Sequence, residues 1–253
     1  MDIIDARLKE IDGGRVLDLA TGSGAFAARL AGSLASYEEI VAVDSAPRAL
    51  EAARKNLAAT RAARVEEADA AALPYADASF GLVGLSNSLH HFPDPARVLS
   101  EALRVLAPGG RLVVLEMHRD SGEGPAMTHV LMHHWWAEVD SAGGVHHAET
   151  YGRAALRGLV EASAGAGGFA ESSWDEIVEE EGAPLDPELL AEIEKIVETY
   201  SGKIEALGEG AGGARVPPEA RAAMKARGLE LLARARSVGF RSAPSLFFVG
   251  RKA

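Results

Sequence analysis

A chain of 253 residues with 47 % apolar composition can bury a full hydrophobic core and need not form more than one domain. Without a single cysteine it has no structural disulfide, thiolate zinc site or cysteine nucleophile, a usage that suits a cytoplasmic protein. The formal charge of −11 is concentrated: residues 171–200 hold eleven acids against Lys195 alone, and no basic stripe exists for a nucleic-acid backbone.

That acidic run reads as a solvated helical face rather than a cation site. No apolar run approaches the length of a bilayer span, and no basic segment precedes an apolar one at the N-terminus. The expectation is a soluble, untargeted, cytoplasmic protein with no nucleic-acid partner and no membrane insertion.

In chain order, the first strand is predicted over 15–19 and runs into Ala20-Thr21-Gly22-Ser23-Gly24, with a helix over 25–33. This strand–turn–helix pattern belongs to nucleotide-binding α/β units, where glycine lets a ligand approach the backbone. A second strand, 40–43, ends on Asp44, twenty residues past Gly24, where a carboxylate can accept hydrogen bonds from ribose hydroxyls. A dinucleotide fingerprint favours a further glycine at position 27, which is Ala27 here. Asp18, at the mouth of the turn, would repel a pyrophosphate and attract a cationic group.

A helix over 47–59, strands at 64–68 and 80–86, a helix over 95–106 and a strand at 110–117 continue the alternation. The fold class is therefore α/β, a doubly wound, mostly parallel, Rossmann-like sheet. Ligands of such sheets sit outside the strands' carboxyl ends, where Asp18, Asp44, Asp69 and Asn87 fall.

From residue 119 the pattern turns helical, over about 126–141 and from a Thr150 N-cap to about 164. A strand follows at about 169–178, then helices at 186–207 and 218–237 on either side of a Gly-rich link, Gly208–Gly213, and a last strand from Ser245. The expected organisation is one domain over 1–253. It comprises a core at 1–118, His/Trp-rich cap helices at 119–165, and last strands at 166–253 with an insertion at about 186–237.

The ordered series Val16 to Gly24, Asp44, Val65-Glu66-Glu67-Ala68-Asp69-Ala70 with Leu73-Pro74-Tyr75, Leu89 to Pro95 and Arg104 to Gly110 resembles class I S-adenosylmethionine (SAM)-dependent methyltransferases. The similarity is to the ubiquinone/menaquinone methyltransferase-like (type 11) branch and runs through about residue 117. The sequence departs from that pattern at Gly81, where the family has Asp. The resemblance implies a seven-stranded sheet, methyltransferase activity, and SAM as cofactor with S-adenosylhomocysteine as product. It implies that Asp18, Gly22 and Gly24 hold the methionine part, Asp44 the ribose, and Asp69 with the Ala70 N–H the adenine. Ala20, Thr21, Ser45, Ser86 and Asn87 complete that set.

All eight histidines lie between residues 90 and 147, and His90 and His118 follow the fourth and fifth strands. Helical spacing puts His129, His133, Trp136 and Asp140 on one face and pairs His134 with Glu138. His90, His91, His133 and His134 are the candidates for binding a small-molecule acceptor or for general-base work, with Glu116 as a further candidate. Packing, or a divalent metal on His129 and His133, are the competing readings, and no metal is expected as the first choice. Trp135 and Trp136 read as packing residues before a cation–π site. The alternatives are a non-catalytic SAM- or metal-binding module and a dinucleotide-dependent enzyme. Acceptor identity and oligomeric state, including a homodimer, stay open.

Overall fold

The computed structural model describes residues 2–178, 186–209 and 215–253. Glu179, Glu180 and Glu181 of the acidic run, and most of the Gly208–Gly213 link, lie outside the described residues.

Strands β1 (Arg15–Leu19), β2 (Glu39–Asp44), β3 (Ala63–Glu67), β4 (Phe80–Ser86), β5 (Leu106–Met117), β6 (Phe169–Ile177) and β7 (Ser245–Lys252) form one sheet of order β3-β2-β1-β4-β5-β7-β6. The pairings from β3 through β5 are parallel, and only β7 runs against its neighbours. Strand order reverses between β1 and β4, which pair with Leu17 opposite Val83. That switch point opens a crevice at the carboxyl ends of β1 and β4.

Helices α1 (Ile3–Leu8), α2 (Ala25–Ser33), α3 (Pro47–Asn56), α4 (Pro95–Val105) and α6 (Arg153–Ser163) flank the sheet. The central strands are apolar because both faces are covered: Leu17, Leu19, Val41 and Val43 pack with α4 and α6, while Val16, Ile40 and Ala42 pack with α1 and α2. Helix α1 has no counterpart among the predicted elements. It is only six residues long, and it buries Ile4 and Leu8 one turn apart behind the Asp2 cap.

Strand β5 begins at Leu106, four residues before the expected start, and takes in Pro108-Gly109-Gly110 as an irregularity. Its register with β4 breaks between the Phe80–Leu106 and Leu82–Arg111 pairs, and Gly109 has a positive φ of 76°.

Helices α5 (Pro125–Ala142), α7 (Pro187–Ala206) and α8 (Pro218–Val238) form a separate layer with its own core of Met132, Trp135, Val139, Ile193, Val197, Leu231 and Leu232. Trp135 is fully buried there and donates its indole N–H to the Met224 carbonyl at 2.8 Å. Gly228 allows this packing, since a Cβ on α8 would run into the Trp135 ring. Helices α5, α7 and α8 thus pack on one another around a core distinct from that of the sheet.

Helix α6, expected in the cap, instead buries Leu156 and Val160 in the core beside the sheet. Its N-cap is Gly152 rather than Thr150, and Asp120 accepts a hydrogen bond from the Arg153 N–H at 2.7 Å. No helix among the described residues is long and apolar enough to cross a membrane.

Candidate active site

The carboxyl ends of β1, β2 and β4 enclose a cavity of about 680 Å³, within the size range of small-molecule sites. Asp18, Ala20, Thr21, Gly22, Asp44, Ser45, Asp69, Ala70, Ser86 and Asn87 all line it. Gly24 does not. It is the left-handed N-cap of α2, with φ 81° and the Leu57 side chain about 3.0 Å from where its Cβ would stand. Its glycine is demanded by the turn and by helix packing.

Asp18 is buried, and its Oδ2 accepts the Thr21 hydroxyl at 2.5 Å while Oδ1 has no partner. Burial pushes its carboxyl up to about 7, against the opposing hydrogen bond from Thr21. Asp44 accepts the Gly22 N–H through Oδ2 and the Ala46 N–H through Oδ1, each at 2.9 Å, so it fixes both turns that face the cavity. Asp69 accepts the Ala71 N–H at 2.8 Å.

The segment beyond Asp69 is pinned from α4, where Arg104 donates to the Leu73 and Tyr75 carbonyls and to Glu101. Ala20 and Asn87 adopt positive φ values of 50° and 45°, a conformation non-glycine residues rarely take. Both lie at strand ends on the cavity wall, where strained backbone commonly marks a site.

At the far end, His91, Phe92 and Pro93 from the turn after β4 meet Val145 and His146 from the loop behind α5. Helix α5, expected to cover the crevice, contributes no lining residue itself. The cover is its following loop, anchored by the Ala148 N–H to the His90 carbonyl at 2.8 Å.

Burial, followed by the neighbouring His90 and His147, pushes His91 down to about 3, which leaves a neutral imidazole on the wall. His90 and His133 lie behind His91, joined by His147, which sequence reasoning did not single out. The four rings pack with centroids 4.2 to 5.5 Å apart where they touch.

Two carboxylates orient this cluster. Glu116, fully buried, holds His90 Nδ1 at 2.5 Å and accepts the Ser88 and Leu89 N–H groups at 3.0 Å. Asp140 holds His147 Nδ1 at 3.0 Å. Burial pushes Asp140 up, but hydrogen bonds from His147, Lys203 and Tyr200 outweigh it and keep the carboxyl at about 2. His133 is pushed down to about 2 by burial, then by His90 and His147, and stays neutral.

Other histidines stand apart. His134 Nε2 is 2.9 Å from the Thr150 hydroxyl, and the expected Glu138 partner lies instead 3.5 Å from Arg227. His129 accepts the Ala243 N–H at 2.9 Å and does not join His133 in the cluster that can hold a metal, which is His90, His133 and His147. His118, at the end of β5, packs against Glu176 rather than the cavity.

Residues 17–114, which supply all of this cavity's lining except Val145 and His146, match a methyltransferase domain family. The same stretch is similar to demethylmenaquinone methyltransferases and to ubiquinone/menaquinone biosynthesis C-methyltransferases.

A demethylmenaquinone methyltransferase of Deinococcus radiodurans is 48 % identical over 103 residues, 40 % of this chain and 42 % of that protein. The enzyme of the same name from Thermus thermophilus is 47 % identical over 103 residues, 40 % of this chain and 46 % of that protein. The matched region thus spans less than half the length of these relatives. Among solved structures, the YcgJ protein of Bacillus subtilis covers 99 % of this chain and 96 % of its own at a TM-score of 0.58 and 16 % identity. The [4+2]-cyclase SpnF covers 98 % of this chain and 78 % of its own at 0.57 and 20 %. Both share the fold of this chain. The family match stops at residue 114, so helices α5, α7 and α8, the loop behind α5 and two of the four clustered histidines, His133 and His147, lie beyond it.

Proposed function

We propose that this protein transfers the methyl group of SAM to a small-molecule acceptor seated at the His91–His146 end of the cavity. Asp18, Ala20, Thr21 and Gly22 hold the amino-acid part, Asp44 with Ser45 the ribose, and Asp69 with Ala70 the adenine, while Ser86 and Asn87 form the floor between cofactor and acceptor. One observation carries the reading: Asp18, a buried carboxyl, lines the cavity together with Asp44 and has no cation among its protein partners. An ammonium is the chemical complement of these two carboxyls, and a pyrophosphate is not.

The bound sulfonium supplies an activated methyl group, so the protein's task is to align the acceptor, exclude water and handle one proton. His91 stays neutral on the cavity wall and offers one hydrogen-bond donor and one acceptor to a polar substituent. Phe92, Pro93 and Val145 provide apolar contact at the same end, which suits an acceptor that is part aromatic or aliphatic. The named relatives act on demethylmenaquinone, and a quinol is one acceptor of this kind.

Calorimetric titration with SAM and S-adenosylhomocysteine tests the cofactor half. Transfer of labelled methyl from SAM to a panel of demethylmenaquinone, phenols and amines tests the acceptor half. Saturable binding of both nucleosides with turnover on the panel is the expected result. Binding of NAD in place of SAM would overturn the reading, and SAM binding without turnover on any acceptor would reduce it to a non-catalytic module.

A further inference from the structure

We propose that His90, His133 and His147 form a site for one divalent transition-metal ion of the zinc type, which ties the cap to the sheet behind the acceptor wall. One ring nitrogen from each of the three residues lies within 4.8 Å of the others, and all three side chains are buried. They come from three separate segments: the single 3-10 turn after β4, the middle of α5 and the loop behind α5.

The hydrogen bonds around the cluster leave metal-binding lone pairs pointing inward. Glu116 takes the Nδ1 proton of His90 at 2.5 Å and Asp140 that of His147 at 3.0 Å, so each ring keeps Nε2 as a lone pair. A carboxylate behind an imidazole is the usual outer support of a metal-ligating histidine, fixing both tautomer and orientation. His147 Nε2 and His133 Nε2 stand 3.3 Å apart. Two nitrogens on a tetrahedral zinc, each bonded at about 2.0–2.1 Å, are separated by about 3.3 Å.

Charge points the same way. Glu116 is fully buried, and its hydrogen-bond partners are two backbone N–H groups and His90. A dication behind His90 compensates a carboxylate that is costly to bury otherwise. Three imidazoles suit zinc, cobalt or nickel and disfavour magnesium and calcium, which require oxygen ligands.

The rings are held by bonds that exist without any ion. Ser141 donates to the His147 carbonyl at 2.9 Å and Ala148 to the His90 carbonyl at 2.8 Å. The ion therefore meets a formed site. His91, on the cavity wall, packs 4.2 Å from the His147 ring and 4.3 Å from the His90 ring, so metal binding fixes the acceptor end of the cavity.

The test is titration of chelator-stripped full-length protein with zinc chloride, magnesium chloride as control, and X-ray absorption on the zinc-loaded sample. The expected result is one zinc per chain, no magnesium binding, a raised melting temperature, and a light-atom shell at about 2.0–2.1 Å with imidazole scattering. His133→Ala abolishes the stoichiometric binding and His129→Ala keeps it. Glu116→Gln weakens zinc affinity by about ten- to a hundredfold. Absence of stoichiometric zinc binding to the unmutated protein overturns the proposal, as does undiminished binding by His133→Ala. Spectra on unmutated protein keep the test independent of whether each variant folds. Parallel SAM titrations separate a failed metal site from a failed cofactor site.

Discussion

The Glu116 carboxylate meets His90 Nδ1 at 2.5 Å with neither side chain in contact with solvent, and the same carboxylate caps the Ser88 and Leu89 N–H groups. One side chain at the end of β5 thus shapes the whole turn after β4, including the His91 position on the cavity wall. Replacing it by alanine strands three buried polar groups at once. Glu116→Ala should lower unfolding free energy by about 3–5 kcal/mol, and Glu116→Gln, which keeps the shape and part of the bonding, by less. Urea unfolding of the two variants checks the order, and equal losses would show that the hydrogen bonds to Glu116 are not what holds the turn.

Asp18 makes both stability and SAM affinity depend on pH. In the folded protein its carboxyl keeps the proton to about pH 7, whereas its ordinary value is 3.8. Between these values the native state binds more protons than the unfolded one. Stability from this group therefore falls as pH rises, by about 1.4 kcal/mol per unit, and is level above about 7. The ammonium of SAM favours the ionised form, so binding below pH 7 should expel one proton. Affinity should rise by up to about tenfold per unit before it levels. Titrations in buffers of different ionisation enthalpy read that proton directly, and Asp18→Asn should erase it.

That Asp18, Gly22, Asp44 and Asn87 line one cavity was legible because these residues sit where local pattern puts them, at strand ends in a fixed order. Asp18, Gly22, Asp44 and Asn87 needed only strand periodicity to be placed together. Gly24 fits the same pattern, but what the structure shows there is a left-handed backbone packed against Leu57, outside the cavity lining. The cap side depends on tertiary packing. Helix α6 carries one apolar stripe and α5 is apolar on most sides, and nothing local says that α5 joins α7 and α8 while α6 joins the sheet. His147 lies in a loop without periodicity, so its approach to His133 follows only from how that loop folds back over His90. His134 was paired with Glu138 by helical spacing, but Thr150, sixteen residues away, takes it instead.

Gly228 is where the insertion touches the cap helix most closely. A side chain there meets the buried Trp135 ring, which is itself fixed by its hydrogen bond to Met224. Gly228→Leu should therefore push α8 off α5 and cost about 1–3 kcal/mol of stability. The cavity draws no lining residue from α5 or α8. SAM affinity should then stay within about twofold, as for distant and independent sites. Thermal unfolding and a SAM titration on the same sample decide the matter, and a large loss of SAM affinity would mean that cap and cavity are one mechanical unit.

Asp44 joins two jobs in one carboxylate. It braces the glycine turn through the Gly22 N–H and the start of α3 through the Ala46 N–H, and it faces the cavity where ribose hydroxyls are proposed to bind. Asp44→Ala removes the acceptor for those hydroxyls and loosens the turn, while Asp44→Asn keeps one carbonyl oxygen for hydrogen bonding. Hydrogen bonds to a charged group contribute about 1.5–3 kcal/mol, so the alanine variant should bind SAM at least about tenfold more weakly. S-adenosylhomocysteine should lose affinity by the same factor, because both nucleosides carry the same ribose. Asparagine should fall between the wild type and alanine. Loss of SAM affinity with S-adenosylhomocysteine unaffected would place Asp44 near the sulfonium rather than the sugar, and an unchanged affinity for both would remove it from the cofactor site.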